Sequence, residues 1–325
     1  MTRLGYQIPN FTYPGVGPAE LFEAVARQAS EADASGFDTV LVMDHFYQLP
    51  MLGEPDRYMI ECYTLLAGLA RETSTVRLGA LVTGNTYRHP AVLAKTVTAL
   101  DIVSGGRAQL GIGAGWYELE HEGFGIEFGS FTDRFEKLEE SLRVVLPMLR
   151  DERPTLDGAH YQVKDAINQP PPVGHIPVMI GGSGEKKTLR LVAQYADESN
   201  LICPPADVPR KLEALDAHCQ RLGRDRNEIT VSWQRSACVA PTMEEAEADL
   251  AAYLGGRGMD LAAMDEATRA ATLAFFNFGD PDTVGERFAR ELETGVDGFT
   301  INMPANGHIP ERVALLGETV APLIS

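Results

Sequence analysis

The stretch AQLGIGAGW at residues 108–116 decides the fold. It is apolar and β-favouring as far as Ile112 and then turns to Gly113-Ala114-Gly115. A buried parallel strand that ends beside a ligand has this form, because small residues let a flat or phosphorylated group approach the backbone closely. A tight βα turn with no ligand has it too. Recurrence separates the two readings: runs of the same kind, apolar and then small or polar, return along the whole chain.

On the N-terminal side, residues 4–9, 39–43 and 76–83 read as strands. Residues 18–35, 58–73 and 90–104 read as the helices that follow them. In the first helix Leu21, Phe22, Val25, Ala26 and Ala29 fall on one face. The third opens on a proline in its first turn. On the C-terminal side, a helix is predicted over residues 131–149, with Pro147 disturbing its last turn. Strands follow at 177–180, 198–203, 229–239 and 298–303. Helices follow at 185–195, 207–222, 281–294 and 310–322. Residues 151–176 are polar and turn-rich, with a short strand pair near 154–156 and 160–163. Residues 243–273 are Ala-rich and mostly helical, broken by Gly255-Gly256-Arg257-Gly258. Residues 151–176 and 243–278 read as insertions, after strands 4 and 7.

Eight βα units in one chain, with no Gly/Ser- or Pro-rich linker, predict a parallel sheet closed into a (β/α)8 TIM barrel. Residues 1–325 form its single domain. An open doubly wound sheet is the alternative if two of these strands fail.

The chain has 325 residues, 44% of them hydrophobic and 23% charged, with a formal net charge of -18. Such a surface repels nucleic acid and anionic membrane, so neither is expected as a partner. Cys62, Cys203, Cys219 and Cys238 form no C-x-x-C pair and no zinc spacing, so no metal is expected and the thiols read as reduced and cytoplasmic. Neither a signal peptide nor a run long enough to span a bilayer is visible.

A barrel places its site at the C-terminal ends of its strands. Here those ends carry Pro9-Asn10, Asp44-His45, Thr83-Gly84-Asn85, Gly113-Ala114-Gly115-Trp116, Gly181-Gly182-Ser183-Gly184, Cys203 and Asn302-Met303. Asp44 and His45 offer a carboxylate and an imidazole suited to acid–base work, or a turn cap and a packed ring. The Gly-rich run before the helix expected at Glu185 offers backbone N–H groups and the Ser183 hydroxyl to a phosphate, with Lys186 and Lys187 nearby. The bland alternative is a βα turn with Ser183 as N-cap. Trp116 suits an aromatic wall or packing under the first insertion. Glu118, Glu120 and His121 read first as a solvated face. No Gly-x-Ser-x-Gly context supports a hydrolase.

MDHF at 43–46, LGALVT at 78–83, LDIVSGGRAQLGIGAGW at 100–116, PVMIGGSGEKKTLRLVAQYAD at 177–197 and GVDGFTINMP at 295–304 together resemble the luciferase-like monooxygenase superfamily. Within it the chain is most similar to the oxidoreductases that use coenzyme F420. The resemblance runs from about residue 3 to residue 320. It implies a barrel of the luciferase-like type, with a flavin or deazaflavin across its C-terminal face. It places Asp44 and His45 near the ring and Val82, Thr83 and Gly84 behind it, often in an unusual peptide geometry, with Asn85 next to them among the cofactor-binding candidates. Gly113, Ala114, Gly115 and Trp116 form the Gly-rich end of strand four. Gly181, Gly182, Ser183 and Gly184 form the phosphate loop. Where this chain has Trp116 the sugar-phosphate dehydrogenase branch has a carboxylate, which counts against a sugar-phosphate substrate. The implied activity is hydride transfer between coenzyme F420 and a small organic substrate, in a homodimer. His45 is the first candidate for the proton-handling group, with Asp44 beside it and Glu118 or Glu120 behind. An FMN-dependent monooxygenase and a non-catalytic flavin- or deazaflavin-binding barrel are the alternatives.

Overall fold

Eight parallel strands close into a ring in the computed structural model, which describes residues 2–324. They are β1 (Leu4–Ile8), β2 (Thr39–Val42), β3 (Arg77–Ala80), β4 (Ala108–Gly113), β5 (Val178–Gly181), β6 (Glu198–Leu201), β7 (Thr230–Val239) and β8 (Gly298–Asn302). Each pairs with the next, and β8 returns to β1 with Leu4 beside Phe299 and Gln7 beside Asn302. At that closing seam a Cβ on Gly298 would stand 1.9 Å from the Arg3 carbonyl, so only glycine lets the two strands meet. The expected (β/α)8 barrel is the observed fold.

The helices around it are α1 (Leu21–Ala34), α2 (Cys62–Glu72), α3 (Pro90–Ser104), α4 (Glu118–Phe124), α5 (Phe131–Leu149), α6 (Thr188–Tyr195), α7 (Val208–Leu222), α8 (Met243–Gly255), α9 (Glu266–Phe275), α10 (Pro281–Leu292) and α11 (Pro310–Ile324). Outward strand residues such as Val40, Val42, Leu78, Leu110, Ile112, Val178 and Ile180 are buried against the helical ring. Against them α1 sets Leu21, Val25, Ala29 and Ala32, spaced at helical intervals. A capping box starts α5, with Ser130 and Asp133 each accepting the other's backbone N–H, and the helix stops two residues past Pro147.

The interior departs from the branched apolar filling usual in such barrels. Leu41, Leu81 and Met179 form one apolar cluster. Elsewhere polar side chains bind strand to strand. Gln7 Oε1 accepts from Gln234 Nε2 (2.7 Å) and Asn302 Nδ2 (3.0 Å), while Asn200 Nδ2 donates to Thr300 Oγ1 (2.7 Å) and Ser232 Oγ (3.0 Å). Buried polar groups need such partners, and networks of this kind fix strand register.

Two stretches differ from expectation. Phe276–Gly279, for which the sequence predicts no element between the helical residues 243–273 and the helix at 281–294, is a short strand parallel to the end of β7, with Ser236 beside Phe276. Four residues after an Ala-rich helix carry too little periodicity to announce a strand. The helix after the Gly-rich run begins at Thr188, not at Glu185. In the 151–176 segment, Leu156–Asp157 and Gln162–Val163 pair antiparallel. Glu140 of α5 accepts the N–H groups of Ala159, His160 and Tyr161 at 2.8–3.0 Å and so pins this hairpin.

Candidate active site

Asp44 and His45 follow β2 directly. Asp44 is buried, and its carboxylate accepts from Arg88 Nη1 (2.6 Å) and Nη2 (3.0 Å) and from the Gly84 N–H (3.1 Å). Arg88 Nη2 also donates to Glu61 Oε1 (2.5 Å), the N-cap residue of α2. Burial pushes the Asp44 carboxyl above its ordinary value, against the pull of Arg88 and the Gly84 N–H. Burial also works against the Arg88 cation, but Asp44 and Glu61 outweigh it and hold Arg88 charged. This pair locks β2, α2 and the approach to α3 together, and it leaves Asp44 no free oxygen for proton transfer.

His45 is the partly buried partner of a fully buried carboxylate. Its Nδ1 lies 2.6 Å from Glu120 Oε1, and Glu120 is fully buried. Glu120 Oε2 accepts the N–H of Phe46 (2.7 Å) and of Tyr47 (3.3 Å), and Oε1 also accepts the Tyr87 hydroxyl. Burial raises the Glu120 carboxyl, but His45, Tyr87 and the Phe46 N–H more than reverse that and hold it below its ordinary value. An ionised acceptor there assigns the Nδ1 proton to His45, as second-shell carboxylates do for histidines. Among the described residues, Nε2 makes no hydrogen bond. Trp116 stands edge-on to the imidazole with centroids 5.8 Å apart.

The expectation that Glu120 and His121 lie on a solvated face is wrong. His121 is fully buried, with Nδ1 2.8 Å from the Tyr117 carbonyl and Nε2 2.7 Å from Thr86 Oγ1. Its Nδ1 therefore carries the proton, and Nε2 accepts from Thr86. Glu118, in the same helix, is exposed and bonds to neither His45 nor Asp44. The seven-residue α4 is too short for periodicity to tell a buried glutamate from an exposed one two residues away. Tyr87, Arg88 and Thr86 carried no motif at all; they belong to this corner because the turn before α3 folds over the end of β2.

The glycines at the rim serve a protein side chain. The Leu81–Val82 peptide is cis, and the Val82 methyls lie over β4 and β5. A Cβ on Gly113 would stand 2.9 Å from Val82 Cγ2, and one on Gly181 2.8 Å from Val82 Cγ1. Small residues there admit the Val82 side chain. Beside it Thr83 is turned to α2, its hydroxyl 2.6 Å from that of Tyr63. Asn85 is buried with neither side-chain amide atom partnered, although its N–H reaches the Gly113 carbonyl (3.0 Å). Ala114 packs on the outer core, and Trp116 is 52% exposed.

Ser183 is not an N-cap. Its Oγ accepts the Ile202 N–H (2.7 Å) and donates to the Ile202 carbonyl (2.9 Å), tying the end of β5 to that of β6. Gly182 donates to the Asn200 carbonyl (3.0 Å). Among the described residues the N–H groups of Ser183 and Gly184 have no acceptor. Lys187 lies over the rings of Phe131 (5.1 Å) and Phe135 (5.4 Å). Away from the rim, Asp133, Glu136 and His160 bring their ligand atoms within 4.8 Å of one another, with His160 Nε2 3.3 Å from Glu136. This contact adds to the Glu140 clamp on the hairpin.

A sequence profile described as luciferase-like monooxygenase matches residues 2–298. An F420-dependent glucose-6-phosphate dehydrogenase of Microbacterium testaceum is 28% identical over 339 aligned residues, covering 98% of this chain and 96% of its own length. Two solved structures superpose along the chain. The monooxygenase RslO1 of Streptomyces bottropensis has a TM-score of 0.81 at 21% identity, over 99% of this chain and 100% of its own. The coenzyme F420 dependent tetrahydromethanopterin reductase of Methanopyrus kandleri has 0.77 at 19%, over 100% and 99%. These two likenesses are likenesses of fold.

Proposed function

The chain belongs to the luciferase-like monooxygenase family, and on that premise we propose that it is an oxidoreductase transferring a hydride between coenzyme F420 and a small organic substrate. The observation that carries the reading is His45, held at Nδ1 by a buried carboxylate and free at Nε2 on the rim of the barrel. Three features suit a flat ring that bears a phosphate. Val82 offers an apolar platform, the Asn85 amide lacks a partner, and the Ser183 and Gly184 N–H groups point to no protein acceptor.

When bound, the reduced deazaflavin supplies the hydride. His45 supplies the proton. With its Nδ1–H donated to Glu120, His45 would give a proton from Nε2 to the substrate in reduction and would take one there in oxidation. Asp44 and Arg88 keep the β2 end in place, and the protein's contribution is orientation and exclusion of competing chemistry. A homodimeric, cytoplasmic enzyme belongs to the same reading. All four cysteines are free thiols, and no described helix is long and apolar enough to cross a membrane. Val92, Ile102 and Val103 of α3, with Ile167 and Val173 of the segment beside it, expose apolar surface for a second copy.

A paired fluorescence titration with F420 and with FMN tests the reading. Binding of F420 is expected. His45→Ala should lower turnover by about 10²–10⁴-fold while leaving F420 affinity within a few-fold. Binding of FMN alone would redirect the reading to oxygen-dependent chemistry, and binding of neither would sink it.

A further inference from the structure

We propose that the substrate is a neutral, planar, conjugated ketone or the matching alcohol, stacked on Trp116, and that phosphorylated substrates are excluded. The inference rests on the oxidoreductase reading and adds the substrate class.

Trp116 is one of two tryptophans, and the contrast between them is informative. Trp233 is fully buried, whereas Trp116 is 52% exposed. One side of Trp116 stacks on Tyr117, with centroids 5.3 Å apart and planes 27° apart. Tyr117 is itself buried, and its hydroxyl donates to the Gln48 carbonyl (3.3 Å). The indole is thus braced from behind, and much of its surface is left to solvent. It also stands T-shaped to the His45 ring with centroids 5.8 Å apart, so a ring laid on it lies close to the imidazole. A rigid aromatic surface next to a proton donor is a stacking platform for a flat molecule whose reacting oxygen points at the histidine.

Charge in this corner disfavours anions. Arg88 is spent on Asp44 and Glu61. Arg134 donates to the Gly115 (3.1 Å) and Gly129 (2.9 Å) carbonyls and lies over the Phe128 ring. Glu118 is exposed two residues from Trp116, and the chain as a whole carries -18. A phosphorylated substrate would meet the carboxylates of Asp44, Glu61, Glu118 and Glu120 against the two guanidiniums of Arg88 and Arg134, with Arg134 Nη2 left without an acceptor among the described residues.

The probes are 2-acetonaphthone and glucose 6-phosphate, used with the wild type, Trp116→Ala and Trp116→Phe. Calorimetry on the protein without cofactor reads binding, and F420 oxidation or reduction reads turnover. The wild type should bind and reduce 2-acetonaphthone and should neither bind nor oxidise glucose 6-phosphate. Trp116→Ala should raise Kd and KM for the ketone about tenfold with kcat and F420 affinity little changed, and Trp116→Phe should restore most of the loss. Turnover of glucose 6-phosphate, unchanged ketone affinity in Trp116→Ala, or a loss confined to F420 affinity would each overturn the assignment. Ketone binding that needs Trp116 but comes without turnover or F420 binding would support the platform and overturn the oxidoreductase reading.

Discussion

Glu118 and Glu120 stand two residues apart in α4, yet one faces solvent and the other holds His45. The difference is enforced by what folds around them: the Phe46 and Tyr47 N–H groups and the Tyr87 hydroxyl all need an acceptor where Glu120 enters. Glu120 acts through His45, and Glu120→Gln tests that role. Loss of the charge should lower kcat/KM about 10–100-fold with F420 affinity retained, and Glu120→Asp, which keeps the charge, should recover part of the loss. A purely structural glutamate would lower stability and cofactor affinity together, with no such split. Asp44 and His45 were legible in the sequence because a polar pair directly after a buried apolar strand has one plausible place in a barrel. Glu120 was not, because its burial is decided by the loop after β2 and the turn before α3, which share no sequence pattern with α4. Asp44 was legible as a position but not as a role; its partner Arg88 lies 44 residues on.

At the scale of elements, α3 and α5 have the bounds that their sequences predict, since Pro90 and Ser130 mark their starts and long apolar stripes run between. Strand ends and short elements were less legible, because tertiary pairing sets them. Phe276–Gly279 is a strand only because β7 runs on past the ring and offers it an edge. A similar long-range dependence fixes α1 against β3. Asp33, in the last turn of α1, accepts the N–H groups of Ser74 (2.6 Å), Thr75 (2.9 Å) and Val76 (2.7 Å) and the Thr75 hydroxyl. Burial raises this carboxyl, but the Thr75 hydroxyl and the three N–H groups outweigh it and leave it below its ordinary value. A depressed carboxylate stabilises the fold above its unfolded value, and that contribution is lost as pH falls through the folded value. Asp33→Asn should therefore cost about 1–3 kcal/mol at pH 7, and the gap to wild type should narrow below about pH 4. Thermal melts across a pH series measure it, and a gap unchanged at pH 3 would contradict the clamp.

For the whole molecule, the eightfold repeat of strand and helix was enough to close the barrel, since eight parallel units in one ring leave no edge to cover. Net charge was equally legible, and its consequence is kinetic. The chain carries -18, while the proposed cofactor is an anion with a polyglutamate tail. Long-range repulsion then slows encounter, and local N–H groups at Ser183 and Gly184 act only once the phosphate is close. Raising ionic strength from about 0.01 M to 0.15 M shortens the screening length from about 30 Å to about 8 Å. The association rate for F420 should accordingly rise several-fold, with the dissociation rate changing far less. Stopped-flow deazaflavin fluorescence separates the two rates. An association rate that instead falls with salt would mean that Lys186 and Lys187, beside the Gly-rich run, steer the cofactor against the field of the whole surface, and reversing their charge should then restore a rising salt dependence.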